Sequence, residues 1–193
     1  MVRKFFLTVI PFLLLLSGCT SKEEARTIAV ERFDTCQAAM TQALRPYLYV
    51  LRNDTNEQDN YEDSDYYVRY YSVPLDENTE MAIMLQSYLG TLDTEKVSVT
   101  LSHTYQENNT VLPKKYLPVF SSVIQATGNT QVTETLCKDF MEDPSVGEAT
   151  HTTENYDERS YVSDDGHTFL YYYDDGEYTW NLTYEGELEV SKF

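Results

Sequence analysis

The chain has 193 residues, of which 32 are acidic and 14 basic, and its formal net charge at neutral pH is −18. That length suits one domain with its own hydrophobic core. So acidic a surface repels nucleic-acid phosphates and anionic lipid headgroups, which excludes a general nucleic-acid-binding role. The charge favours a cationic protein as partner; the alternative is that it only keeps the protein soluble.

The first 19 residues have the layout of an exported lipoprotein precursor. Arg3 and Lys4 precede a mostly apolar run over residues 5–16, which is too short to span a bilayer. The run leads into the tetrapeptide Leu-Ser-Gly-Cys at residues 16–19, which closely resembles the lipobox of bacterial lipoproteins. The resemblance implies cleavage before Cys19 and attachment of lipid to its thiol. Two acyl chains anchor a protein durably, whereas one does not.

This resemblance also implies an organisation and a location. It divides the chain into a signal peptide over residues 1–18, a lipidated tether over residues 19–24 and a single α+β domain over residues 25–193. Removal of the two basic signal residues takes the formal charge from −18 to −20. An Asp directly after the lipidated cysteine usually means retention in the inner membrane. Thr20 stands there instead, which favours the outer membrane of a bacterial envelope, with the domain facing the periplasm.

Residues 21–51 are expected to form a long helix, because apolar residues recur at spacings of three and four. Ser21 and Glu24 form a capping-box pattern at its start, and Pro46 is expected to kink or end it. The acidic segment 53–65 is expected to be a solvated loop. Its partial match to a calcium-binding EF-hand loop fails at the required glycine position, so we predict no metal site.

Three strands are predicted next, over residues 66–73, 79–88 and 95–105, because these runs are rich in Tyr, Val and Ile and are separated by turn residues. Side chains alternate between the two faces of a strand. Tyr66 and Tyr70 should therefore share one face of the first strand, and Tyr67 and Tyr71 the other.

Two helices are predicted after these strands. Pro118 suits the first turn of a short helix that Gly128 would end. A further helix is expected over residues 130–141, which carry several apolar side chains on a helical period.

The last part of the chain has the strongest β pattern. Three strands are predicted over residues 159–163, 167–173 and 177–184, and Asp-Asp-Gly turns join them into two hairpins. Residues 185–193 either add an edge strand or fray. The order of one helix, three strands, two helices and three strands predicts an α+β fold with antiparallel sheets, a long N-terminal helix and central helices.

Cys36 and Cys137 remain after lipidation of Cys19, and an even pair in an exported protein predicts a disulfide. It would close a loop of about 100 residues and contribute about 4.7 kcal/mol. Two buried free thiols or a metal site are the alternatives, although three scattered histidines make a poor zinc pattern. Each cysteine opens a Cys-x-x-x-Met sequence in a predicted helix. This indicates an internal repeat, unless the match is a coincidence.

The candidate partner-binding residues are Tyr171, Tyr173, Tyr178 and Trp180 in the last predicted strands. Tyrosine is favoured at interfaces because it is large, stiff and able to hydrogen-bond, although it is also simply a good strand residue. No nucleophile motif, cofactor motif or distinctive carboxylate pair occurs, so no cofactor and no catalysis are predicted. The expected function is binding of a cationic protein, as an inhibitor or immunity protein does. A structural or accessory lipoprotein of an envelope assembly is the first alternative, and a hydrolase is the second.

Overall fold

A computed structural model of the protein describes residues 21–54, 65–90, 95–105, 114–142, 148–153, 156–162, 168–174 and 179–188. These ranges contain helices and antiparallel strands, which confirms the predicted α+β class. The helices are α1 (Lys22–Leu44), α2 (Leu117–Gln125) and α3 (Glu134–Glu142). The strands are β1 (Arg52–Asn53), β2 (Tyr66–Pro74), β3 (Thr79–Tyr88), β4 (Glu95–Thr104), β5 (Glu148–Thr153), β6 (Tyr156–Val162), β7 (Thr168–Asp174) and β8 (Thr179–Glu187).

Helix α1 begins as the sequence predicts. Ser21 is its N-cap, and the Ser21 hydroxyl accepts a hydrogen bond from the Glu24 amide at 3.2 Å. The helix ends at Leu44, earlier than predicted, because a short 3-10 turn containing Pro46 follows at once. Residues 22–24, which belong to the predicted tether, are the first residues of α1.

The strands form one antiparallel sheet in the order β1-β2-β3-β4-β8-β7-β6-β5. It consists of two four-stranded meanders, β1 to β4 and β5 to β8, which meet through their last strands. The internal repeat, in which each half would consist of a helix followed by three strands, stays a prediction. The two consecutive C-terminal hairpins are confirmed, because β6 pairs with β7 and β7 with β8. Their predicted turn residues 164–166 and 175–176 lie outside the described residues.

One face of the sheet packs against the helices. Helix α2 contacts both α1 and α3, while α1 and α2 contact β2 and β4 respectively. Buried helix and strand side chains form a single hydrophobic core. Its largest members include Phe33, Met40, Phe120, Phe140, Phe169, Trp180 and Tyr184. Burial of such side chains contributes about 1.5–3 kcal/mol each, which makes this layer the main stabilising contact of the domain.

The two shorter helices differ slightly from their predictions. Pro118 lies in the first turn of α2, as expected, and Gly128 follows the helix with a φ of 95°, a conformation that favours glycine. Helix α3 begins at Glu134 instead of residue 130. The Thr133 hydroxyl accepts a hydrogen bond from the Leu136 amide at 3.1 Å and so caps the helix at that point.

The predicted disulfide is not formed. Cys36 in α1 and Cys137 in α3 are free thiols in the core. Burial raises the pKa of each to about 12, with a further contribution from Glu95 at Cys36. Both thiols are therefore protonated at neutral pH, and the thiolate needed for oxidation is scarce. The helices that carry the two cysteines, α1 and α3, both pack against α2.

Candidate protein-binding face

The sheet has a second face, opposite the helices, which we call the open face. On β3, on β8, along most of β4 and in the second half of β2, buried residues that point to the helices alternate with exposed or half-buried neighbours. Within the described ranges no helix covers these neighbours. They are Tyr66, Val68, Tyr70 and Ser72 on β2; Glu80, Ala82, Met84, Gln86 and Tyr88 on β3; Lys96, Ser98, Thr100 and Ser102 on β4; Asn181, Thr183, Glu185 and Glu187 on β8; and Thr168 and Leu170 on β7.

The middle of the open face carries short side chains. Strand register places Ser72, Ala82, Thr100 and Thr183 in one row across four neighbouring strands. The hydroxyl groups of Thr100 and Thr183 are hydrogen-bonded across β4 and β8 at 3.0 Å. Because serine, alanine and threonine project little from a sheet, this row lies lower than its surroundings.

Aromatic residues border the open face on the β2 side. The Tyr66 and Tyr88 rings lie 5.2 Å apart between their centroids, and Tyr66 is 47 % exposed. Tyr70 is paired in register with Met84 on the same side. Exposed tyrosines with an apolar neighbour are typical of protein interfaces.

The predicted division of the β2 tyrosines is confirmed. Tyr71 is buried in the core, and Tyr67 packs against the core with its ring stacked on Phe33 at 5.4 Å. The Arg69 guanidinium donates a hydrogen bond to the Tyr67 hydroxyl at 2.7 Å, on the same face. Tyr66 and Tyr70 belong to the opposite, open face.

A depression of about 440 Å³ lies on the open face, where β3, β4, β8 and β7 run side by side. This volume is at the lower end of the range of roughly 300–1,000 Å³ that is usual for ligand pockets. The lining residues are Met84, Gln86, Lys96, Val97, Ser98, Thr168, Glu185, Gly186 and Glu187.

Charge in the depression is unevenly balanced. Glu185 lies opposite Ser98 on β4 and Thr168 on β7, so its strand neighbours are short hydroxyl residues. Glu187 lies opposite Lys96. Among the described residues, no cation lies within ion-pair distance of either glutamate. The depression therefore presents two carboxylates beside one lysine.

The predicted contact residues do not all reach this face. The prediction is wrong for Trp180, which is only 1 % exposed and belongs to the hydrophobic core. Tyr171 and Tyr173 lie in β7, paired in register with Leu182 and Trp180 of β8. Tyr178 lies outside the described residues, as do Cys19 and most of the acidic loop 53–65. The open-face residues on β3 and β4 were missed because serine, threonine and glutamine in a strand carry no distinctive sequence signal.

A second polar cluster lies at one end of the sheet, between the β2–β3 turn and the 3-10 turn before α2. The Asp76 carboxylate accepts hydrogen bonds from the Asn78 amide at 2.9 Å, from Lys115 at 3.4 Å and from the Tyr116 hydroxyl. Burial alone would raise the pKa of Asp76, but these hydrogen bonds outweigh it and hold the pKa well below its ordinary value of 3.8. The cluster connects the β2–β3 turn to the helical layer. This structural role accounts for the hydrogen bonds and the lowered pKa of Asp76.

The Thr79 hydroxyl and His103 Nδ1 form a hydrogen bond of 2.8 Å next to this cluster, and burial lowers the pKa of His103. His103 is therefore mostly neutral at pH 7. No group of three or more histidine, cysteine or acidic side chains in the described part of the chain could hold a metal ion.

No helix within the described ranges is long and apolar enough to cross a bilayer. Comparison of the chain with protein-family models, curated proteins and solved structures gave no match.

Proposed function

We propose that this protein is a lipid-anchored lipoprotein of the bacterial envelope whose open face binds a cationic protein, in the manner of an inhibitor or immunity protein. The observation that carries the proposal is the face of an eight-stranded sheet that none of the described helices covers, in a chain with a net charge of −18. A sheet with one face in the core and one in solvent is stable without a partner, so the open face is free to serve recognition.

The composition of the open face supports this role. It combines the exposed Tyr66 and the half-buried Met84 on the β2 and β3 side with three glutamates and one lysine. Interfaces favour such aromatic residues at their centre, and complementary charge speeds association and selects the partner. The overall negative charge would steer a basic protein toward the domain and repel acidic ones.

The anchor part of the proposal rests on the lipobox, and the position of α1 is compatible with it. Helix α1 begins at Lys22, three residues after Cys19, so lipid on Cys19 would hold the folded domain directly at the membrane surface. Because both core cysteines are free, a disulfide does not contribute to the proposed location. The proposal that the protein is anchored in the outer membrane and faces the periplasm is supported by the lipobox and Thr20 alone.

The binding proposal is tested by adding the same charge at two positions. Ala82→Arg places a large cation in the exposed centre of the open face, whereas Gln42→Arg places one on an exposed position of α1. Proteins captured from envelope extract by the wild-type domain should be basic and should be released by high salt. They should be lost with Ala82→Arg and kept with Gln42→Arg. Capture of an acidic protein, or equal capture by both variants, would refute the proposal.

The anchor is tested by replacing the thiol that would carry the lipid. The wild-type protein should fractionate with membranes, and its N-terminal peptide should have the mass of a diacylglycerol-modified Cys19. Cys19→Ser should remove the lipid mass and membrane association together. Unmodified Cys19 in the mature wild-type protein would exclude the anchor.

One observation favours the alternative of an accessory protein in an envelope assembly. After α1, Leu48 is 90 % exposed and Val50 is 67 % exposed, and Leu48 has a left-handed φ of 62°. The Tyr47 hydroxyl donates a hydrogen bond to the Pro118 carbonyl at 3.2 Å, which holds this apolar segment against α2. If it is a docking point, Leu48→Ser should release a partner that high salt does not, because apolar contacts survive salt.

A further inference from the structure

The depression on the open face differs from the rest of the acidic surface in its shape and in its charged groups. It combines a volume of about 440 Å³ with two carboxylates, Glu185 and Glu187, that form no ion pair within the described residues. We propose that the depression receives one lysine or arginine side chain from a protruding loop of the partner protein, with Glu185 as its ion-pair acceptor. This inference rests on the proposed function and specifies how the open face recognises its partner.

Glu185 is the better acceptor of the two glutamates. Residues directly opposite on antiparallel strands have Cβ atoms about 4.5–5.5 Å apart, whereas diagonal neighbours are about 7–8 Å apart. Lys96 lies directly opposite Glu187 and only diagonal to Glu185. An incoming cation therefore meets competition from Lys96 at Glu187, but little at Glu185.

The surroundings of Glu185 suit the rest of a basic side chain. Ser98 and Thr168 flank it in register, and their hydroxyl oxygens can accept further hydrogen bonds from an ammonium or guanidinium group. Met84 is the next residue in this row, opposite Ser98, and gives an apolar wall for the methylene stem. Gln86 lines the same depression and adds an amide oxygen.

An arginine side chain is the stronger of the two candidates. Its planar guanidinium can form two parallel hydrogen bonds to one carboxylate and still donate to neighbouring hydroxyl groups. An acidic guest is excluded, because two exposed carboxylates in one small depression would repel it. A protruding segment of the partner, such as a loop, can bring this side chain to the depression, whose floor is formed by the sheet.

The probe for this inference is the capped peptide acetyl-Gly-Arg-Gly-amide, with acetyl-Gly-Gln-Gly-amide as the uncharged comparison. Each is titrated into ¹⁵N-labelled protein that begins at residue 20 and so contains every described residue. The arginine peptide should shift the amide signals of residues 96–98 and 185–187, and the glutamine peptide should not. Arginine-induced shifts spread over the acidic surface without a maximum at these residues would overturn the proposal.

The matched variants are Glu185→Gln and Glu80→Gln. Both glutamates are exposed on the open face, but Glu80 lies opposite Ser102, outside the lining of the depression. Loss of a charge-assisted contact should weaken binding of the arginine peptide about 5–10-fold for Glu185→Gln, and less than 2-fold for Glu80→Gln. Equal effects of the two variants would refute the assignment of Glu185. Since both side chains are exposed, unchanged thermal unfolding should verify that each variant is folded.

The failure of this inference and that of the proposed function are distinguishable. If Ala82→Arg abolishes partner capture while Glu185→Gln leaves both the partner and the arginine peptide bound as before, the open face binds its partner without this subsite, and the inference is wrong. If the peptide maps to the depression but Ala82→Arg leaves partner capture intact, the subsite exists and the proposed function is wrong.

Discussion

Replacement of Asp76 by asparagine should measure how strongly the β2–β3 turn is tied to the helical layer. In the wild type one carboxylate oxygen accepts from the Asn78 amide, and the other accepts from Tyr116 and Lys115. Asparagine has nearly the same shape but only one acceptor oxygen. Asp76→Asn must therefore lose one of these two sets of bonds, and the charge that strengthens both.

The expected loss follows from the geometry. A hydrogen bond to a charged group contributes about 1.5–3 kcal/mol, and the side chain of Asp76 is 35 % exposed, which puts the value at the low end. We expect Asp76→Asn to lower the free energy of unfolding by about 1.5 kcal/mol at pH 7. For a domain of this size, that corresponds to a fall in the melting temperature of about 3–6 °C.

The pH dependence gives a second, independent check. The folded-state pKa of Asp76 is lowered, so its stabilisation is complete above the ordinary carboxyl value of 3.8 and disappears as the pH falls toward the folded-state pKa. The difference in the free energy of unfolding between the wild type and Asp76→Asn should be the same at pH 7 and pH 5 and should become smaller below about pH 4. Asparagine does not titrate, and it resembles the protonated aspartic acid to which the wild type converts.

The assay is urea unfolding followed by circular dichroism at pH 7, 5 and 3. Glu77→Gln is the control, because Glu77 is an exposed neighbour in the same turn, and its effect should be within about 0.5 kcal/mol. Tyr116→Phe and the double variant complete a mutant cycle, in which Asp76 and Tyr116 should be coupled by about 1 kcal/mol. Additive effects, or an undiminished difference at pH 3, would refute the hydrogen-bond explanation.

Three further outcomes are expected. Phe33→Ala should cost about 3–5 kcal/mol in urea unfolding, because Phe33 is fully buried and stacks on Tyr67; a cost below 1 kcal/mol would contradict the packing. Thr133→Ala should cost about 1 kcal/mol in the same assay through loss of the α3 cap, whereas a neutral effect would mean that the cap is dispensable. In the absence of a reductant, an alkylating reagent should modify Cys36 and Cys137 in the unfolded protein but not in the folded one, as measured by mass spectrometry. If both cysteines stay unmodified after unfolding, they form a disulfide.

Much of the local structure is predictable from the sequence. The Ser21 cap, the end of α1 near Pro46, the first turn of α2 at Pro118 and the opposite faces of the β2 tyrosines all follow from interactions between residues close in the chain. Such contacts depend on backbone preference and on the helical or strand period. Such local contacts can therefore be predicted from a short segment of the sequence without knowledge of the rest of the fold.

The edge strands show where this kind of prediction ends. Strand β1 has only two residues, and β5 has a polar sequence without the alternation of a half-buried strand. Both are strands because a neighbour, β2 or β6, offers unpaired backbone groups to them. Their own side chains carry no comparable signal, so the missing information is in the partner strand.

Trp180 illustrates the same limit for the candidate site. The sequence by itself determined the lipobox pattern, the acidity, the α+β class and the alternation along each strand, since these depend on composition and local period. Only the tertiary structure decided which strand face would meet the helices, and so placed Trp180 in the core and Glu185 on the open face. Alternation along a strand defines two faces but does not say which of them the helices cover. That depends on long-range contacts such as the pairing of β4 with β8, whose partner residues are about 80 positions apart in the chain.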